Sequence, residues 1–135
     1  MGKLSIVSVG GSFYHFHSAC HFEYDDLTYA NGWLGFGPSI HNKPATVQGE
    51  VFTDDESARV NHGITLTVLD ARLCQAARET KAQYSSGPYV VTVRDCVSFS
   101  ADVARRCGLG VPAVNFTPYG LIQILAVWNP YERKW

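Results

Sequence analysis

Across residues 13–24 the chain alternates with a period of two. Tyr14, Phe16, Cys20, Phe22 and Tyr24 fall on one side, and His15, His17, Ala19, His21 and Glu23 on the other. A helical period of 3.6 would scatter these residues around a cylinder. The pattern fits a half-buried strand of an antiparallel sheet, with one face on a core and the other polar. It also sets a demand on the rest of the chain, which must supply cover for the apolar face.

The cover is predicted later in the sequence. Residues 4–9 read as a short strand ended by a turn at Gly10-Gly11, and Asp25-Asp26 as a hairpin turn into a strand over 27–36. Gly37-Pro38 should break that strand, leaving a loop-rich polar stretch to Asn61 with one short strand over 50–53. Residues 62–69 resemble another strand. Asp70 is placed to N-cap a helix running to about Tyr84, with Leu73, Ala76, Ala77 and Thr80 inward and Gly87 past its end. A second helix starts at Cys96 behind Asp95 and carries Val97, Phe99, Val103 and Ala104 as its apolar stripe. Thr117-Pro118 opens a third, which reaches Trp128 and is stopped by Asn129-Pro130. Strands come first and helices after, so the class is α+β, in a single domain over residues 1–135.

With 46% hydrophobic and 17% charged residues, 135 residues suffice for one core without staples. The formal net charge of -1 offers no electrostatic footprint for nucleic acid or an anionic membrane. The four cysteines, at 20, 74, 96 and 107, lack the paired spacing of a zinc site and read as reduced thiols, with Cys20, Cys74 and Cys107 as core filler. Met1-Gly2-Lys3-Leu4-Ser5 opens no signal-peptide apolar region, and no stretch reaches membrane-spanning length. The expectation is a soluble chain made in the cytoplasm, with any secretion by a route that needs no cleaved signal.

Two groups of residues carry chemistry. Cys96 stands in the first turn of a helix, where free N–H groups and the dipole favour a thiolate and lower its pKa. Against that, a buried cysteine is ordinarily a small apolar filler. His15, His17 and His21 share one strand face, which antiparallel sheets commonly leave in solvent. His15 and His17 would lie about 6–7 Å apart, near enough to share one metal ion with His21 or Glu23. Alternatively one of the three is the base of a Cys–His pair, which needs the imidazole within hydrogen-bond reach of the thiol and a third group to orient it.

The His strand, Gly35-Phe36-Gly37-Pro38, Gln48-Gly49-Glu50-Val51, Arg94-Asp95-Cys96-Val97-Ser98-Phe99 and Cys107-Gly108-Leu109 follow one another in an order that resembles the permuted NlpC/P60-like branch of the papain-like cysteine hydrolases. The resemblance implies an antiparallel sheet packed against helices in a circularly permuted papain-like arrangement. It implies Cys96 as nucleophile and a histidine of that strand as base, with His17 favoured, His15 second and His21 third; the orienting group stays open, Asn31 on the neighbouring strand being a candidate, and a thiolate with an imidazole base needs no metal or cofactor. The activity implied is that of an amidase or endopeptidase acting on peptide amides of bacterial peptidoglycan. Some relatives of this branch are antibacterial toxins delivered by type VI secretion, which would add a cognate immunity protein as partner; neither nucleic acid nor membrane is expected. Two alternatives stand beside it: a lipid acyltransferase or thioesterase of the same branch, and a non-enzymatic, metal-binding β-rich domain. The chain departs from the family pattern where Asp95 replaces an Asn before the cysteine, and where Gly11 lies four residues before His15 instead of adjoining a histidine. A carboxylate beside the thiol opposes its ionisation.

Overall fold

The strand over Gly2–Val9 (β1) is bonded on both sides, to His17–Glu23 (β2) and to Val60–Val68 (β5), and its near-continuous burial reflects that central place. The computed structural model describes residues 1–10, 17–39, 48–90, 93–113 and 117–135. Gly32–Pro38 (β3), Gly49–Phe52 (β4) and the two-residue Arg133–Lys134 (β6) complete a six-stranded sheet of order β4-β3-β2-β1-β5-β6. Every pairing is antiparallel.

Three helices, Asp70–Tyr84 (α1), Cys96–Arg106 (α2) and Pro118–Trp128 (α3), cover one face. Leu4, Ile6, Cys20, Phe22, Phe36, Ile64 and Leu66 of the sheet meet Leu73, Phe99, Val103, Leu121 and Leu125 of the helices in one continuous core. The fold is α+β, as the order of elements predicts. Cys20 and Phe22 face the helices, as the alternation requires. The opposite face is not simply wet: Val7, Val9 and Ala19 form a second small cluster with Trp33 and Val60, and Ala19 is only 1% exposed.

Several boundaries differ from expectation, each for a local reason. Gly37-Pro38 does not break β3 but ends it, pairing with Glu50 and Gly49. Proline is tolerated at such a terminal position, where no ladder N–H is required of it. The strand after Asp25-Asp26 begins only at Gly32, because the Asp26 carboxylate accepts from both the N–H and the hydroxyl of Thr28 and holds a turn that leaves Leu27 97% exposed. Asp70 is not the N-cap of α1; Leu69 is, with no side-chain bond. The Asp70 carboxylate instead accepts from the backbone N–H groups of Asp25 (3.2 Å) and Asp26 (2.9 Å), tying the β2–β3 turn to the start of α1. Asp95 and Thr117 cap α2 and α3 as predicted, accepting from the N–H groups of Ser98 and Gly120, each at 2.9 Å.

Candidate functional site

The head of α2 is fixed from both sides in sequence. Asp95 and Ser98 form a reciprocal capping box, which holds the first turn. Just before it, the Arg94 guanidinium donates to the carbonyls of Gln83 (2.9 Å), Ser86 (2.7 Å) and Pro88 (2.7 Å). It also lies over the rings of Tyr84 and Phe36, at 4.8 and 5.2 Å from their centroids. The backbones of Val90 and Arg94 are bonded to each other in both directions, N–H to carbonyl, at 3.0 and 2.7 Å. One side chain thus gathers the end of α1 and the approach to α2, and so sets where Cys96 begins.

Cys96 is 5% exposed, on the helix side of the sheet. The backbone N–H groups of Ser18 and Val97 and the Tyr89 hydroxyl are hydrogen-bonded to its sulfur. Its thiol is nevertheless pushed up, chiefly by burial and further by the Asp95 carboxylate, with these donors only partly offsetting the rise. The expectation that the helix start lowers this pKa is therefore corrected: desolvation and a neighbouring charge outweigh the dipole. At neutral pH the resting group is a thiol, and a base is needed to ionise it.

Beneath the thiol runs a buried polar chain. Ser18 and Ser100 share a hydrogen bond of 2.7 Å between their hydroxyls, and the Cys20 thiol donates to Ser100 Oγ at 3.5 Å. Cys20 is pushed up to about 12 by burial, as is Cys107, so both are inert fillers as predicted. No disulfide joins the four cysteines, and Cys74 is only half-buried, on α1.

His17 opens β2 and adjoins Ser18 in the chain. A Cβ on Gly35 would lie 3.0 Å from His17 Nε2 and 3.8 Å from the Ala19 Cβ, which puts the imidazole on the Ala19 side of the sheet. His17 and Cys96 therefore reach the same end of β2 from its two faces, joined through Ser18. His21 lies four residues along, stacked on Trp33 with ring centroids 4.7 Å apart, and burial lowers its pKa. About 13 Å of strand separates the two histidines, too far for one ion to take both as ligands. Among the described residues no three His, Cys, Asp or Glu side chains gather as a metal site. His15 lies outside the described residues.

Asn31 is misplaced as an orienting group. Its Oδ1 accepts from the Tyr24 N–H at 2.8 Å, at the far end of β2 from His17. Tyr89, Ser18 and Ser100 escaped the sequence reading, as did the role of Arg94 in joining α1 to α2. Ser100 carried a usable signal, being a serine one helical turn after Cys96 on the same face. Tyr89 carried none, since it stands at the start of an apolar run, Tyr89-Val90-Val91-Thr92-Val93.

No protein-family model matches this chain, and no curated protein or solved structure is significantly similar to it. Fold and site together define an antiparallel α+β domain with a cysteine held under hydrogen-bond donors at the head of a core helix.

Proposed function

We propose that the protein is a cysteine hydrolase of permuted papain-like arrangement that cleaves peptide amides of bacterial peptidoglycan. The observation that carries this reading is Cys96 itself, a thiol at a capped helix head with two backbone N–H groups and a tyrosine hydroxyl on its sulfur. Such donors favour the thiolate that attack requires. His17, one residue from Ser18, is the base. To take the thiol proton its ring has to leave the Ala19 face, where Gly35 gives it room, and come round the end of β2 to the sulfur.

The sulfur then adds to the amide carbonyl, and the Cys96 N–H at the helix head helps hold the oxyanion. The amine departs with the proton from His17, leaving a thioester, and water releases the acid and restores the thiol. Peptidoglycan as substrate, delivery as a type VI toxin and an immunity partner rest on the family resemblance of the sequence motifs alone.

The test is release of new amines from purified muropeptides by the full chain. Cys96→Ala and His17→Ala should each abolish it, and the double variant should be little worse than either, because the pair acts as a unit. Retained activity in Cys96→Ala would end the hydrolase reading. Loss in His15→Ala but not His17→Ala would move the base two residues. Cleavage of lipid vesicles in place of muropeptides would transfer the protein to the acyltransferase branch. Chelator should leave the rate unchanged.

A further inference from the structure

At the end of the sheet where β1 stops and β5 and α3 begin, a cleft of about 730 Å³ opens. Ser8, Val9, Asn61, His62, Pro118 and Tyr119 are among the residues that line it. The sheet register puts it beside the site already described. Ser8 pairs with Ser18, whose N–H reaches the Cys96 sulfur, and Val9 pairs with His17. Between Ser8 and Val9 the register skips Asn61 of β5, an irregularity of the kind that bends a strand. The cleft therefore lies one strand away from Ser18 and His17, with Ser8 and Val9 of β1 between them.

Its chemistry is specific in what it offers. The His62 and Tyr119 rings, with centroids 4.5 Å apart, form one wall, and Val9 and Pro118 add apolar surface. The serine and asparagine give hydrogen-bonding groups able to serve both an amide N–H and a carbonyl. The lining described here holds no carboxylate, ammonium or guanidinium. It has the means to recognise peptide units and small apolar side chains, and none of the fixed charges that grip an ionic headgroup.

We propose that this cleft binds the part of the substrate next to the scissile amide, as a short peptide segment with alanine-sized side chains. The inference rests on the hydrolase reading for its reaction, but its binding is measurable by itself. Acetyl-alanyl-alanine methylamide is titrated into the full chain and followed by NMR. Expected are saturable shifts of the His62 and Tyr119 ring signals, at least tenfold weaker binding in Tyr119→Ala and in His62→Ala, and near-normal binding in Tyr119→Phe. Both side chains are exposed at the surface, so the variants should keep the wild-type circular dichroism spectrum. Shifts centred elsewhere, unchanged affinity in both alanine variants, or equal binding of the same peptide with lysine or glutamate replacing the second alanine would overturn the proposal. Amine release from muropeptides separates the two ideas. Saturable binding at the cleft without any turnover retires the hydrolase and keeps the cleft, whereas turnover untouched by His62→Ala and Tyr119→Ala retires the cleft.

Discussion

Cys96 and Asp95 are in conflict at a single helix start. The carboxylate is a good cap, yet its charge helps hold the neighbouring thiol protonated. Asparagine caps about as well without the charge. Asp95→Asn should therefore keep the thermal midpoint near wild type and shift the pH profile of Cys96 alkylation by iodoacetamide to lower pH. Asp95→Ala removes both effects and should cost about 1 kcal/mol of stability. An alkylation profile that moves upward in Asp95→Asn would show that the carboxylate does not oppose ionisation. The sequence made this conflict visible, because cap and thiol are adjacent residues. It did not reveal which side prevails, since that depends on how deeply the sulfur is buried by β2, a partner nearly eighty positions away.

At the level of elements, legibility followed locality. The caps at Asp95 and Thr117, the helix starts at Cys96 and Pro118 and the facing of Cys20 and Phe22 depend on near neighbours, and agree with the sequence reading. The use of Asp70 to fasten the β2–β3 turn and the place of Asn31 are tertiary facts with no local signal. So is β6, which is two residues long. The same applies to Arg94, whose three carbonyl partners span residues 83–88. Lysine keeps the charge but cannot fork to several acceptors or stack on Tyr84. Arg94→Lys should lower stability by about 1–3 kcal/mol in urea unfolding, on the scale of one or two lost charge-assisted bonds. It should also loosen the contact of Tyr89 with the thiol. A second element-scale test is Gly49→Ala. The new methyl would collide with the ring of Phe36, which is fully buried and flanked by Tyr84, Tyr89 and Phe99. Overpacking of this kind costs about 1–3 kcal/mol, and a variant as stable as wild type would mean that the β3–β4 edge shifts freely.

For the molecule as a whole, the buried thiols set an alkaline limit. Cys20 and Cys107 rise from an ordinary value near 9 to about 12 in the folded state, mainly through burial. The folded protein holds these protons more tightly than the unfolded chain does. Their contribution is fully present below about 9 and is lost as pH climbs toward 12. Urea midpoints should be level near neutrality and fall from pH 9 upward, less steeply in Cys20→Ala; a flat profile to pH 11 would contradict this account. The sheet order has a consequence of a different kind. β1 to β4 pair successively as neighbours in sequence, whereas β5 returns to β1 from the other side, matching Gly2 with Val68. On a chain emerging from its N-terminus, the four-stranded meander can form while its apolar face still waits for the helices. Ser18 belongs to that early part and Cys96 to the late one, so the sulfur gains its Ser18 donor only when α2 docks. The reactivity of one thiol thereby becomes a clock for the docking of α2 onto the sheet.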